Sequence, residues 1–338
     1  MSSSLASTGG SAKLQTAGTI LYNPSNVKLM GSMGPEWGHF TVEEADLLKN
    51  NGANCLAEII YPAWWQSNET NPYSGEAYQA KHLQMRQWLK DRSIKYCMSL
   101  TGTWDWAPTE GWDNAKMEVV LNVSGLQDKW IADVGAIIQA LQPDIVTPMG
   151  EPPYYIADTV YNGTITQDQY VQTYRQFCIR AINAWRAIKP DLIGMVYSVP
   201  WWYLQVLAAN PIPLPNIIYP MELWYSYDGT YPSEAWSQAY WKGSANAKSL
   251  LLDKLGGLGI DEAISAGLTV IWEEVGANLA APNALAFMQD IYDYSKSMNV
   301  GVLQGEFRGN PPYDAGILNS NWLTLNQMGL VWARNMQG

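Results

Sequence analysis

The chain has 338 residues, of which 47% are hydrophobic and 15% are charged, so it can bury a large core and is not a disordered protein. Its 31 acidic and 20 basic residues give a net charge of -11, which repels the phosphates of nucleic acids and anionic lipids. We therefore expect no nucleic acid and no membrane among its partners. No apolar run of the sequence is long enough to span a bilayer.

The cysteines and histidines argue against a metal centre. Cys55, Cys97 and Cys178 lie in apolar runs without C-x-x-C spacing, and the only histidines are His39 and His82. We expect buried cysteines and no metal, while one Cys55–Cys97 bridge between neighbouring strands stays open. The Gly-rich phosphate loop and the Gly-x-Ser-x-Gly turn of serine hydrolases are also absent from the sequence, so carboxylates must carry any acid-base chemistry.

The two ends of the chain differ in composition. Residues 1–17 are small and polar and predict a flexible Ser/Thr/Gly-rich tail, whereas residues 18–338 predict a single barrel domain. This tail lacks the charged start and apolar core of a signal peptide. Asn-x-Ser/Thr triplets at Asn68, Asn122 and Asn162 nevertheless fit an exported protein whose signal peptide has been removed. We therefore expect a secreted, extracellular protein.

Apolar runs of strand length alternate with segments of helical periodicity along the domain. Thr41 with Glu44 and Thr166 with Gln169 form capping boxes that begin two helices, and Gly52 ends the first of them. The predicted strands are 27–33, 55–61, 96–100, 144–151, 192–199, 217–224, 268–276 and 300–307. The predicted helices are 41–52, 81–91, 125–141, 166–190, 244–266, 284–297 and 322–335.

This alternation predicts an α/β protein with a (β/α)8 TIM barrel, since each strand is an apolar run of the kind that is buried on both faces. A doubly wound sheet is the alternative. That fold favours a Gly-rich first turn, which the sequence lacks.

Aromatic side chains are concentrated directly after the predicted strands. In a TIM barrel these residues share one cleft, because the site lies at the carboxyl ends of the strands. The chain has 17 Trp and 20 Tyr but only 4 Phe, a preference for rings that stack on sugars and also form hydrogen bonds. We assign Trp88, Trp130 and Trp185 on helices to the core. The residues predicted to bind substrate are Trp37, Trp64, Trp65, Trp104, Trp106, Tyr154, Trp201, Trp202, Trp224, Tyr225, Glu306 and Arg308.

Carboxylates at two separate strand ends form a predicted catalytic pair. Glu151 ends strand four and is followed by two prolines, while Glu273 and Glu274 end strand seven. Glycoside hydrolysis requires a proton donor and a second carboxylate, which such a pair supplies. Neighbouring side chains of a regular strand point to opposite faces, so we expect only one of Glu273 and Glu274 to be catalytic.

The motifs around these acids resemble those of clan A glycoside hydrolases. Gly150-Glu151-Pro152 is similar to the Asn-Glu-Pro that ends strand four in that clan, and Glu274-Val275-Gly276 is similar to the Glu-Phe-Gly that ends strand seven. Within the clan, the nearest pattern is glycoside hydrolase family 5, which contains cellulases and mannanases. The resemblance implies a retaining hydrolase of β-linked glycans that needs no cofactor, with Glu151 as general acid/base and Glu274 as nucleophile.

The chain departs from that family pattern at several positions. Gly150 replaces the Asn before the acid/base, and Ile60 stands two places before Pro62, where the family has an Arg before the proline. The strand-six His-x-Tyr is missing, which makes Tyr225 a candidate partner of the nucleophile. At strand eight the usual Trp is missing, and Arg308 is a candidate positive charge near Glu274.

Several functions remain open from the sequence. The leading one is an endo-acting β-1,4-glucanase that acts on a β-glucan or related polysaccharide, since aromatic loops suit a polymer. A β-mannanase, an exo-acting β-glycosidase and a carbohydrate-binding barrel without catalysis are the alternatives. An aldolase or isomerase barrel is disfavoured, because neither Lys242 nor Lys254 lies in a predicted strand. The oligomeric state stays open.

Overall fold

Eight parallel strands close into a barrel in the order of the sequence, and β8 pairs with β1 to complete it. The computed structural model describes residues 28–32, 40–66, 75–100, 116, 118–150, 166–197, 204, 208–305, 316–319 and 324–336. The strands are β1 (Lys28–Ser32), β2 (Cys55–Ile60), β3 (Lys95–Leu100), β4 (Ile145–Val146), β5 (Ile193–Met195), β6 (Ile217–Tyr225), β7 (Thr269–Ala277) and β8 (Gly301–Gln304). The predicted (β/α)8 barrel is confirmed.

Helices surround the barrel. They are α1 (Val42–Asn50), α2 (Pro62–Gln66), α3 (Gly75–Asp91), α4 (Leu126–Leu141), α5 (Gln167–Arg186), α6 (Ala235–Trp241), α7 (Ala247–Gly256), α8 (Ile260–Ser265), α9 (Ala284–Met298) and α10 (Gln327–Met336). None of the helices in the described ranges is long and apolar enough to cross a membrane.

The predicted helix starts are confirmed at two places. Thr41 and Glu44 form a complete capping box at α1, and Thr166 and Gln169 form another at α5. Other boundaries differ from the sequence prediction. The segment 62–66 is a short helix rather than a loop, and the predicted helix 244–266 is divided into α7 and α8.

The core has two layers. Inside the barrel lies a small apolar cluster, formed by Cys55, Ala57, Cys97, Ile145, Ile193, Met195, Ile218, Ile271 and Leu303. The alternate residues of the same strands point outward and form a larger core with the helices. Because the strand side chains alternate between these layers, cluster membership identifies the face of the barrel on which a strand residue lies.

The cysteines are buried and free. The sequence left open a Cys55–Cys97 bridge, which requires the two residues to lie at the same level of β2 and β3. Instead, Cys97 is the register partner of Ala57, and Cys55 is the partner of Lys95. All three cysteines are unbridged. Burial is the largest of the effects that raise the pKa of the Cys97 thiol well above its ordinary value.

Candidate active site

The sequence predicts the site at the carboxyl end of the barrel, and some of the predicted residues lie within the described ranges. Glu274, Trp64, Trp65, Trp224 and Tyr225 are described. The other predicted residues fall outside the described residues, and their roles stay predictions: Trp37, Trp104, Trp106, Glu151, Tyr154, Trp201, Trp202, Glu306 and Arg308.

Strand β7 carries a β-bulge at its two glutamates. On the β6 side, Trp272 is paired with Met221, and the next pair is Glu274 with Glu222, so Glu273 is the extra residue. On the β8 side the register also shifts between Trp272 and Val275. A bulge places two residues opposite one and changes the direction of a side chain, and bulges are frequent next to active sites.

The bulge changes the prediction that Glu273 and Glu274 point to opposite faces. Trp272 and Val275 on either side of them belong to the outer core, whereas Ile271 lies inside the barrel. Neighbouring side chains of a strand point to opposite faces, so Glu274, next to the outward-pointing Val275, lies on the barrel side. Glu273 lies next to the outward-pointing Trp272 and is therefore on the barrel side as well. The strand is not regular at this point, so both acids face the inside of the barrel.

The two acids are both buried, at successive positions along the strand. Glu273 is 3% exposed and Glu274 is 7% exposed. The charge of Glu273 is among the influences that raise the pKa of Cys97, after burial and the Cys55 thiol, which agrees with a position of Glu273 on the interior side of the barrel. Glu274 is one residue nearer to the carboxyl end of the strand. Its position at the mouth of the barrel is the one from which a carboxylate can reach a bound substrate.

Trp224 covers the end of the barrel beside Glu274. It is the register partner of Gly276, and it is partly buried. A Cβ built on Gly305 would lie 3.0 Å from Cζ2 and Cη2 of Trp224, and a Cβ on Gly276 would collide with the same ring. The indole therefore lies directly on the backbone of two glycines, at the ends of β7 and β8. This contact explains why the Glu274-Val275-Gly276 motif needs its glycine.

A hydrogen-bonded turn supports the indole. The ring of Tyr227 meets Trp224 edge to face, with centroids 4.7 Å apart. Asn278 holds this turn, because its side-chain amide donates to the carbonyl oxygen of Tyr227 at 3.1 Å and its backbone N–H donates to that of Tyr225 at 3.3 Å. Gly229 has a φ of +74° in the turn and lies against the Asn278 side chain. The loops after β6 and β7 are thereby tied together.

Tyr225 requires a correction, because its side chain faces the helices and not the cleft. Its ring lies 5.8 Å from that of Tyr240 on α6 and 5.4 Å from that of Phe287 on α9. Its hydroxyl donates to the carbonyl oxygen of Pro282 at 2.6 Å. Burial raises the pKa of Tyr225 to about 12. Since adjacent strand residues face opposite sides, Trp224 and Tyr225 cannot both line the barrel end.

The two tryptophans of α2 also belong mainly to the protein core. Trp65 is buried and meets Tyr78 edge to face at 6.5 Å, so its ring packs in the core, and its contact with substrate stays a prediction. Trp64 stacks on Tyr61 at 4.4 Å and is only partly buried. Of this pair, Trp64 is the more exposed residue.

The chain just before Glu151 is held against β3. Gly150 donates its N–H to the carbonyl oxygen of Leu100 at 2.6 Å. A Cβ at position 150 would come within 3.0 Å of that oxygen and 3.3 Å of the Ser99 hydroxyl. The backbone therefore passes too close to β3 for a side chain to fit without movement, which gives a physical reason for glycine where the family pattern has Asn.

Glu222 is a third acid on this face, and the sequence analysis missed it. Met221 and Leu223 beside it point into the outer core, so Glu222 lies on the barrel side directly opposite Glu274. The signal in the sequence was a glutamate inside an apolar strand, two residues before Trp224 and therefore on the same face. No group of three His, Cys, Asp or Glu residues in the described ranges is arranged to hold a metal ion.

Comparisons with known proteins support the fold. No protein-family model and no curated protein sequence matches the chain. Among solved structures, an endoglucanase is similar with a TM-score of 0.68 and 12% identity, covering 92% of this chain and 98% of that one. A GH5-4 broad specificity endoglucanase from Clostridium acetobutylicum has a TM-score of 0.66 and 13% identity, with 93% and 97% covered.

A third similar structure is Thermotoga maritima Cel5A in complex with mannotriose substrate. Its TM-score is 0.66 at 11% identity, with 93% of this chain and 98% of that one covered. The barrel of this chain extends over nearly the whole length of each of these proteins. The chain has the (β/α)8 barrel fold of these glycoside hydrolase family 5 enzymes, at a sequence identity that establishes the fold alone.

Proposed function

We propose that the protein is a retaining glycoside hydrolase that cleaves β-linked glucan within the polymer. The observation that carries this proposal is the position of Glu274: a carboxylate at the carboxyl end of β7, on the barrel side, beside the indole of Trp224. A carboxylate can act in sugar hydrolysis, and a partly exposed indole beside it can stack on a sugar ring. The shared fold with endoglucanases supports the same chemistry.

Glu274 is the proposed nucleophile and Glu151 the general acid/base. Glu151 gives its proton to the leaving glycosidic oxygen while an oxygen of Glu274 bonds to the anomeric carbon, so that one C–O bond forms as another breaks. Glu151 then takes a proton from water, and the water oxygen displaces Glu274 from the anomeric carbon. Both carboxyl groups regain their starting protonation states. Glu273 is a poorer nucleophile candidate, because it lies one residue further from the carboxyl end of β7.

Trp224 is the proposed platform for the sugar ring next to Glu274. Its indole is fixed against Gly276 and Gly305 and is supported by Tyr227 on one edge. A ring held in this way can stack on a pyranose face without losing further conformational freedom. The aromatic residues predicted after other strands would extend the cleft for a polymer. We also propose that the protein is exported, as its Asn-x-Ser/Thr sites suggest.

The activity can be tested on carboxymethylcellulose, glucomannan and aryl β-glucosides. We expect a fall in viscosity and new reducing ends on the glucan, products of retained anomeric configuration by NMR, and loss of turnover in Glu274→Gln and Glu151→Gln. Glu58→Gln is the matched control, since Glu58 is a buried strand glutamate on the outer face of β2, which it shares with Leu56 and Ile60. Activity on aryl glucosides alone contradicts endo action, and inverted products contradict the retaining mechanism.

Two further functions have an observation in their favour. A similar barrel has been solved with mannotriose, which favours a β-mannanase, and preferential cleavage of glucomannan or mannan would identify one. Gly150 in place of the family Asn favours a barrel that binds carbohydrate without cleaving it. In that case the parent protein binds glucan, shows no turnover, and keeps its affinity after Glu274→Gln.

A further inference from the structure

Glu222 and Glu274 are neighbours on adjacent parallel strands. They are register partners across the β6–β7 pair, on the carboxyl side of the bulge. Paired Cα atoms of adjacent strands are about 5 Å apart, and partners in a parallel ladder point to the same face. Two glutamate side chains in this arrangement can bring their carboxyl groups into hydrogen-bonding distance.

The face that they share is the barrel side. Along β6, Met221, Leu223 and Tyr225 belong to the outer core, and Ile218 belongs to the interior cluster. Glu222 therefore has the same orientation as Ile218, four residues earlier, and as Trp224, two residues later. Glu222 thus lies between the apolar interior of the barrel and the indole that covers its mouth.

Two adjacent carboxylates in a partly buried place do not ionise independently. When one is ionised, the other is favoured in its protonated form, and a protonated carboxyl group donates a strong hydrogen bond to an ionised one. The other titratable side chains facing this region from the described parts of β5 to β7 are Tyr197, two residues after the interior Met195, and Glu273. Glu273 is the extra residue of the bulge and has no register partner on β6, which leaves Glu222 as the lateral neighbour of Glu274.

We propose that Glu222 is a positioning residue that shares one proton with Glu274 and holds its carboxylate in place for attack. This inference rests on the proposed function of Glu274 as nucleophile. In the working state Glu222 carries the proton and donates it in a hydrogen bond to an oxygen of Glu274, whose other oxygen is directed at the substrate. No bond to substrate forms at Glu222.

The kinetic test compares Glu222→Gln with Glu222→Ala. Gln keeps a donor beside Glu274 but cannot titrate, so we expect a kcat near that of the parent and a pH–rate profile that is broader by about one unit. Ala removes the donor, and kcat should fall by about 10- to 100-fold with little change in KM. Glu58→Gln, on the outer face of β2, should leave the pH–rate profile unchanged. A Glu222→Gln profile that superimposes on the parent profile overturns the proposal.

A second test does not need activity. In urea unfolding, the parent should lose stability as the pH rises from 5 to 8, because the folded protein holds the shared proton more tightly than the unfolded chain does. Glu222→Gln has no such proton, so its ratio of folded to unfolded protein should rise by about tenfold relative to that of the parent over this range. In a Glu274→Gln background, the same substitution should have an effect that does not depend on pH. This coupling supports the shared proton even if no glycan is cleaved, in which case only the proposed function fails. A pH-independent effect in both backgrounds refutes the shared proton.

Discussion

Replacing His82 should make the protein less sensitive to acid. His82 on α3 is fully buried, and neither ring nitrogen has a hydrogen-bond partner among the described residues. Its ring meets that of Tyr78 at 4.3 Å. Burial, with a smaller influence from the charge of Lys81, lowers the pKa of His82 to about 3. The imidazole is therefore neutral in the folded protein at pH values where an exposed histidine is charged.

The sign and size of the effect follow from these two pKa values. The unfolded chain binds a proton at His82 below its ordinary pKa of about 6.5, whereas the folded protein does not do so until about pH 3. The free energy of unfolding therefore falls as the pH falls through this window, by about 1.4 kcal/mol per unit. At pH 5 the neutral, buried His82 lowers the free energy of unfolding by about 2 kcal/mol relative to pH 8. Above about pH 7.5 this effect is absent.

The assay is urea unfolding of the parent protein and of His82→Leu at pH 8, 6.5 and 5. At pH 8 both side chains are neutral, so their difference reports packing alone. Between pH 8 and pH 5 the parent should lose about 2 kcal/mol more than His82→Leu. His82→Gln, which is polar but does not titrate, should differ from His82→Leu by the same amount at each pH. Equal losses in the parent and in His82→Leu would refute this reasoning.

Three other substitutions test the geometry of the barrel end. Gly276→Ala should destabilise the protein by about 1–3 kcal/mol and impair activity, because the added Cβ meets the Trp224 ring. Gly256→Ala is the control and should have neither effect, because its Cβ meets nothing within 4 Å. Unfolding midpoints and initial rates measure both variants. Trp224→Ala should weaken glucan binding by about tenfold or more, as measured by calorimetry. An unchanged affinity would refute the proposal that Trp224 stacks on the sugar. Tyr225→Phe should lower the free energy of unfolding by about 1 kcal/mol, because it removes the hydrogen bond from the Tyr225 hydroxyl to Pro282. It should leave kcat/KM within about twofold of the parent value. A large loss of kcat/KM would show that Tyr225 belongs to the active site.

The sequence predicted the fold well because barrel strands and amphipathic helices have different periods. The capping boxes at Thr41 and Thr166 were also readable, since they depend on two residues at fixed spacing. These signals are local. The order of the strands then follows from the right-handed connection of successive β-α-β units.

The site was less predictable because a single register shift changes the face of every following residue. The bulge at Glu273 and Glu274 has no marker in the sequence, so alternation alone gave opposite faces for two acids that lie on the same side. Tyr225 was predicted to line the cleft together with Trp224, but β6 is regular at these two residues. Their side chains therefore point to opposite faces, and Tyr225 packs against the helices. Glu222 was overlooked because a glutamate within an apolar run was taken as part of the strand.

The most direct test of the central claim is to trap the covalent intermediate. A 2-fluoro-β-cellobiosyl substrate with a good leaving group slows the second step more than the first, so the sugar should remain attached to the enzyme. Peptide mass spectrometry should then find the glycosyl group as an ester on Glu274, with Glu273 and Glu222 unmodified. Labelling at either of those residues, or turnover with inversion and no trapped species, contradicts Glu274 as the nucleophile.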